Sequence, residues 1–192
     1  SGLDRVEGGP RLNYGFKWGA FGKEGGSTSL MLGQSYRLKK DDTFVAGSGL
    51  DDNFSDLVSR IQVSPGQIFD VFYRTRLDKD NLEPNRNELD LEIGTKALSL
   101  NTRYAYFDRQ EGSEFAAREE LSGSLSSQIT DTWRSSMRAS KDLAEGDTRS
   151  MNLNLTYEDE CFLFSTTVNR TFFQNQDLQP ENSMVFRLLF KT

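Results

Sequence analysis

Residues 11–21 read RLNYGFKWGAF, and this stretch decides the fold. Apolar side chains occupy every second position from Leu12 to Ala20, and small or polar residues occupy the positions between them. Successive side chains of a β-strand point to opposite faces, so the pattern predicts a strand with one apolar and one polar face. Nowhere in the chain does a helical period persist beyond a turn or two, whereas the period of two recurs.

The run that ends the sequence repeats this alternation. Met184, Phe186, Leu188 and Phe190 share one face, and charged residues lie on the other. Counting all such runs predicts about eleven strands, many of them ten or more residues long, which suits tilted membrane strands better than ordinary globular ones. The predicted strands lie near residues 11–21, 26–38, 56–64, 67–78, 85–95, 97–107, 115–127, 130–142, 147–158, 161–173 and 183–192.

The predicted connections alternate between short and long. The short ones lie near residues 22–25, 64–66, 95–97, 128–130 and 158–160, and the longer ones near 39–55, 78–84, 108–114, 142–146 and 174–182. Pro65-Gly66 is typical of a type II turn. A meander barrel with short periplasmic turns and longer outside loops has this alternation. The sequence therefore predicts an all-β fold, an antiparallel up-and-down transmembrane β-barrel.

Composition excludes several classes of function. The net charge of −6 argues against non-specific nucleic-acid binding, because no basic block is available to neutralise phosphates. The chain has no histidine, the commonest general base and metal ligand, which removes Ser-His hydrolysis and most zinc chemistry. We expect no catalytic residue, no metal site and no cofactor. Its single cysteine cannot form a disulfide within the chain. No run of about 18 apolar residues predicts a transmembrane helix.

Alternation alone leaves open which face meets water. A soluble sandwich or lipocalin-like barrel buries its apolar face, whereas a membrane barrel turns that face to lipid. Two features favour the membrane: Trp18 and Trp133 lie on apolar faces near short turns, where an aromatic girdle would run. The second feature is the density of charges on the polar face, which could pair across strands inside a lumen. These charges are Arg60, Arg74, Arg76, Asp90, Glu92, Arg103, Arg134, Arg138 and Arg187.

Several stretches resemble the lipopolysaccharide-assembly outer-membrane protein family, LptD/OstA, of alphaproteobacterial type. They follow one another in order along nearly the whole chain. They are Gly2-Leu3-Asp4-Arg5, Glu7-Gly8-Gly9-Pro10, Leu12-Asn13-Tyr14-Gly15, Gly33-Gln34-Ser35-Tyr36-Arg37, Gly47-Ser48-Gly49-Leu50 ahead of Ser55-Asp56, Tyr73-Arg74-Thr75-Arg76-Leu77-Asp78, Tyr157-Glu158-Asp159-Glu160-Cys161 and Phe186-Arg187-Leu188-Leu189-Phe190-Lys191.

The resemblance implies a non-enzymatic transporter of the bacterial outer membrane that inserts lipopolysaccharide into the outer leaflet. Such proteins have a periplasmic jelly-roll domain and a barrel of about two dozen strands, plugged by a lipoprotein. Lipopolysaccharide arrives along a periplasmic bridge protein and leaves through a lateral gate between the first and last strands. Residues 1–192 are then expected to be the C-terminal part of the barrel, without the jelly roll and the earlier strands. The expected partners are lipopolysaccharide, an LptE-like plug lipoprotein, the bridge protein and outer-membrane lipid, and no nucleic acid.

The resemblance also implies roles for particular residues. Cys161 matches a cysteine that forms a disulfide with the N-terminal domain, although some relatives carry two adjacent cysteines where this chain has Cys161 and Phe162; otherwise Cys161 is a small buried hydrophobe. Arg187 and Lys191 could contact lipopolysaccharide phosphates, or pair with lumen carboxylates or the plug. The residues expected to form the gate strand are Met184, Phe186, Arg187, Leu188, Phe190 and Lys191.

Other interpretations remain open from the sequence. The chain could be another outer-membrane barrel, such as a porin-like channel, or a soluble ligand-binding β-barrel. Arg170 falls on an otherwise lipid-facing series near an outer loop. It either meets anionic headgroups there or marks a bulge or an error in the predicted register.

Overall fold

The computed structural model describes residues 10–23, 25–39, 50, 52–108, 117–172 and 180–191. The motif residues 2–9 and 47–49, and the predicted strand ends at 115–116, 173 and 192, lie outside these ranges. No helix in the described ranges is long and apolar enough to cross a membrane. Eleven strands are present: β1 Arg11–Phe21, β2 Ser27–Arg37, β3 Leu57–Ser64, β4 Phe69–Leu77, β5 Pro84–Gly94, β6 Leu98–Phe107, β7 Arg118–Gln128, β8 Trp133–Asp142, β9 Thr148–Glu158, β10 Phe162–Thr171 and β11 Asn182–Phe190.

The strands form one antiparallel sheet in which each strand pairs with its neighbours in sequence, from β1 at one edge to β11 at the other. This confirms the predicted all-β, up-and-down fold class and its eleven strands. Two strand starts differ from the prediction by three residues: β7 begins at Arg118 rather than at residue 115, and β8 begins at Trp133 rather than at residue 130. The hydroxyl of Thr130 accepts hydrogen bonds from the amides of Thr132 and Trp133, at 3.3 and 3.0 Å, which holds the chain in a turn before the strand begins.

Two glycine-containing turns differ in what they require of the backbone. At the end of β5, Gly94 has a φ of +135°, and a Cβ added there would lie 2.2 Å from the carbonyl oxygen of Leu98. Only glycine fits that conformation and that close approach. The type II turn predicted at Pro65-Gly66 is wrong, because such a turn needs a positive φ at Gly66, which is not among the positive-φ glycines. The connection there spans residues 65–68, so no single residue has to be left-handed.

The chain divides into two compact units. The first contains Ser1–Pro65, Val71–Leu89 and Ala105–Arg118, and the second contains Gly66–Asp70, Asp90–Tyr104 and Glu119–Thr192. In the first unit, one apolar face runs across β1 to β4. Its Cα partners, strand by strand, are Trp18, Leu30, Ile61 and Tyr73. In the second unit, an apolar face runs across β8 to β11 in the same manner.

Burial is inverted relative to a water-soluble protein. Across the described residues no hydrophobic side chain is buried, and the most buried ones are polar, namely Arg37, Ser55, Asp56 and Asp142 at 4–9% exposure. A soluble barrel or sandwich would bury one apolar face to remove it from water. The described residues leave these apolar side chains exposed, and in the membrane interpretation lipid covers them.

Arg170 lies on the apolar series. Its Cα partners are Met151 of β9 and Asn182 of β11, and the register runs without a shift through both pairings. The alternatives of a bulge or a register error at Arg170 are therefore wrong. Its guanidinium lies 4.6 Å from the ring centre of Phe172, a cation–π contact at the end of β10.

Candidate functional site at the last strand

The edge strand β11 presents an apolar row on one face. Met184, Phe186, Leu188 and Phe190 are 53–75% exposed, and they pair with Val168, Thr166, Phe164 and Phe162 of β10. The rings of Phe164 and Phe186 stack with their centres 6.3 Å apart. These are the gate-strand residues predicted from the sequence, and they lie together as the alternation requires.

The opposite face of β11 is mixed rather than uniformly polar. Arg187 and Lys191 lie on it, but so do Val185 and Leu189, which are 53% and 51% exposed. Leu189 pairs directly with Leu163 of β10. The clean alternation of the other face hides this feature, although its signal is in the sequence: Val185 and Leu189 add apolar side chains to the face that also carries Arg187.

Lys191 joins the end of β11 to the turn between β9 and β10. Its ammonium donates hydrogen bonds to the carboxylate of Glu158 at 2.8 Å and to the carbonyl of Asp159 at 2.7 Å. Its backbone amide donates to the carbonyl of Cys161 at 2.8 Å. Glu158 also forms an ion pair with Arg134 of β8. Three strands therefore meet at one turn, and the prediction that Lys191 pairs with a carboxylate is confirmed.

Arg187 differs from Lys191. It pairs with Ser165 of β10 through the backbone. Within the described part of the chain, no carboxylate lies within ion-pair distance of its guanidinium. The predicted carboxylate partner therefore exists for Lys191 but not for Arg187 among those residues.

Asp159 organises the turn that carries Cys161. Its carboxylate accepts hydrogen bonds from the amides of Cys161 and Phe162, each at 2.8 Å, and from the hydroxyl of Tyr157 at 3.0 Å. These donors, the amide of Phe162 first and that of Cys161 next, hold the pKa of Asp159 below its usual value of 3.8. Cys161 itself is exposed, so the interpretation of it as a small buried hydrophobe is wrong.

The two tryptophans lie at short-turn ends of their hairpins, as predicted. Trp18 is about half exposed, three residues before the end of β1. Trp133 is the first residue of β8 and packs edge-on against Tyr157 at 5.2 Å, and Tyr157 lies 5.3 Å from Phe162. An aromatic girdle remains a prediction.

The polar face carries the cross-strand charge pairs expected from the sequence. Arg74 pairs with Glu88 at 3.0 Å, and Arg103 with Asp90. In the second unit this face encloses a hollow of about 580 Å³. Its polar lining includes Asp70, Asp90, Glu92, Asn101, Arg103 and Arg138. Charged and polar lining of this kind suits the polar interior expected of a membrane barrel.

One comparison with known proteins succeeds. A family model described as LptD, LPS transport system D, matches residues 1–133, which is more than half of the chain. No curated protein matches the chain. The matched range includes β1 to β7 and Trp133, while β9, β10, β11 and Cys161 lie beyond it.

Proposed function

Because the chain belongs to the LptD family of lipopolysaccharide transport, we propose that it is part of an outer-membrane translocon that inserts lipopolysaccharide into the outer leaflet through a lateral gate. The family is an outer-membrane transport family rather than an enzyme family, and the all-β sheet fits a β-barrel. The family match carries the proposal and favours it over a porin-like channel. The exposed apolar faces support the membrane location independently.

In this proposal β11 is one side of the gate. It is an edge of the sheet, and an unpaired strand edge in lipid is costly, so it needs a partner strand. Val185 and Leu189 support the role, because they add apolar surface to the face that carries Arg187, and this surface can meet lipid when that pairing opens. A lipid moving sideways from a polar interior would pass such a strand.

Cys161 connects the gate to another domain in this proposal. It is exposed, and the carbonyl of Cys161 accepts a hydrogen bond from the amide of Lys191, directly after β11. A disulfide from Cys161 to the N-terminal domain would therefore restrain the end of the gate strand. Since the chain has one cysteine, the disulfide partner must be a residue outside this sequence.

The proposed partners follow from the same transport pathway. Lipopolysaccharide is the cargo, a bridge protein delivers it through the N-terminal domain, and a plug lipoprotein occupies the polar interior. The hollow lined by charged side chains in the second unit supports contact with a polar plug or with the sugars of the cargo.

Depletion of the protein tests transport. We expect newly made lipopolysaccharide to disappear from the cell surface within a few generations, measured by labelling with an impermeant reagent, while other outer-membrane proteins remain. Unchanged surface labelling after depletion would contradict the proposed function.

A photoreactive residue tests the gate. Placed at Val185 of β11 in the full-length protein, it should crosslink to lipopolysaccharide, whereas the same residue at Asn154 in the middle of β9 should crosslink less. Equal crosslinking at both positions would show that the cargo does not pass close to β11.

Electrophoresis without reductant tests the disulfide. The full-length protein should run with altered mobility that reduction abolishes, and Cys161→Ser should remove the difference. Complete alkylation of Cys161 without prior reduction would contradict the pairing.

A further inference from the structure

Four arginines cluster on the polar face of β3, β4 and β5 in the first unit. This arginine cluster consists of Arg60, Arg74, Arg76 and Arg86, and two of its members, Arg60 and Arg74, lie over the ring of Phe72. All four line one hollow of about 440 Å³, together with the apolar side chains of Met31 and Val58. Its lining includes no residue of β11 or of the turn at Cys161, and no step of the proposed function uses it.

Two of these arginines face each other across neighbouring strands. Arg60 and Arg74 are Cα partners in the β3–β4 pairing. Their guanidinium carbons lie 5.0 and 4.9 Å from the centre of the Phe72 ring. Like charges directly opposite each other in a sheet repel. The aromatic ring offsets part of that repulsion through cation–π contact and keeps both guanidinium groups at the hollow.

The carboxylates around the cluster are placed unevenly. Glu88 pairs with Arg74 at 3.0 Å and with Arg86 at 2.9 Å, and Asp56 pairs with Arg76 at 3.3 Å. For Arg60 the described residues provide no carboxylate within ion-pair distance, and its side chain is exposed. Arg60 is thus a cation on the hollow that has an aromatic contact and room for an anion.

We propose that the arginine cluster binds a phosphate group of lipopolysaccharide as the glycolipid passes the polar face, an inference that rests on the proposed function. A guanidinium presents two parallel N–H donors that match two phosphate oxygens, and several guanidinium groups around one hollow can hold a phosphate from more than one side. The apolar surface of Met31 and Val58 in the hollow suits the carbon atoms of a sugar ring next to that phosphate. The cluster would serve as a transient binding site for lipopolysaccharide during transport.

The test measures binding to the full-length protein purified in detergent together with its plug partner. Calorimetric titrations use lipopolysaccharide, enzymatically dephosphorylated lipopolysaccharide and inorganic phosphate. We expect Arg60→Gln to weaken binding of intact lipopolysaccharide about tenfold, since it removes one charge-assisted contact. Arg60→Lys should weaken it less, because the charge stays while the paired donors are lost.

A matched control separates the cluster from general electrostatics. Lys96→Gln removes the same positive charge at an exposed residue of the turn between β5 and β6 in the second unit, away from either hollow's lining. We expect it to change affinity by less than about twofold. The shift in electrophoretic mobility on heating, which reports a folded barrel, should be the same for all variants, and Arg60 is exposed, so its replacement leaves no buried gap.

Four results would overturn the inference. They are unchanged affinity in Arg60→Gln, equal weakening in Lys96→Gln, equal affinity for the dephosphorylated glycolipid, and inorganic phosphate binding as tightly as the glycolipid. Loss of the plug partner from Arg60→Gln with glycolipid affinity intact would assign the cluster to the plug instead. If surface lipopolysaccharide requires the protein but neither binding nor export depends on Arg60, the inference fails and the proposed function stands. Normal surface lipopolysaccharide after depletion would reject the proposed function, even if the cluster binds phosphate.

Discussion

An arginine at Leu153 tests whether the apolar face meets lipid. Leu153 lies in the middle of β9, pairs with Met137 and Val168, and is 52% exposed. In water, such an exposed position tolerates arginine with a change of about 0.5 kcal/mol or less in the free energy of unfolding. At the middle of a bilayer the same change costs about 2–4 kcal/mol, because the charge must leave its hydration. The two environments therefore differ by about tenfold or more in the folding equilibrium.

The assay is urea unfolding of the protein in lipid vesicles, followed by tryptophan fluorescence. We expect Leu153→Arg to lower the unfolding free energy by about 2–4 kcal/mol. The matched control is Ser136→Arg on β8, whose Cα partners are Ser126 and Asn154 on the polar face. It should change stability by about 1 kcal/mol or less. Equal effects of the two substitutions would refute the assignment of the apolar face to lipid.

Three further predictions concern turns and the membrane boundary. Gly94→Ala should destabilise the protein by about 2 kcal/mol or more in the same unfolding assay, because φ is +135° and the new Cβ would lie 2.2 Å from a carbonyl oxygen. Gly123→Ala, whose nearest contact would be 3.9 Å, should be nearly neutral, and a similar loss in both would contradict the role of Gly94. Asp159→Ala should destabilise the turn at neutral pH. The difference in stability from the native protein should vanish as the pH falls below 3.8. The pKa of Asp159 is depressed in the folded protein, so the stabilisation by its carboxylate is lost only as the pH passes through that lowered pKa. A difference that persists at lower pH would mean that the carboxylate is not the stabilising group. Brominated detergent should quench Trp18 and Trp133, the only two tryptophans, and unquenched fluorescence would remove both from the lipid boundary.

Most of the secondary structure was predictable because its cause is local. The strand at residues 11–21 was predicted to the residue, since an alternating pattern over eleven residues is satisfied by few other conformations. The start of β8 was placed three residues too early because Thr130 and Thr132 also suit a strand, and only the hydrogen bonds to the Thr130 hydroxyl show that they form a turn. Pro65-Gly66 suits a type II turn locally, but the neighbouring strands are joined by a longer connection.

The site was predictable in part. The apolar row of β11 and the carboxylate pairing of Lys191 followed from the sequence, and the structure confirms both. The identity of that carboxylate did not follow, because Glu158 lies 33 residues before Lys191. Asp159 was part of a recognised motif, yet its role in holding the turn at Cys161 appears only from the hydrogen bonds to its carboxylate.

The sequence by itself determined that the chain is a series of strands, which residues share a face, and that one face is apolar and the other charged. Those properties depend on the period of two along each strand, which the backbone imposes on any extended segment. Only the tertiary structure decided which residues of different strands meet, such as Arg60 with Arg74 around Phe72, or Arg134 and Lys191 on Glu158. Those contacts depend on the register between strands, and a shift of one residue would turn every side chain of a strand to the other face.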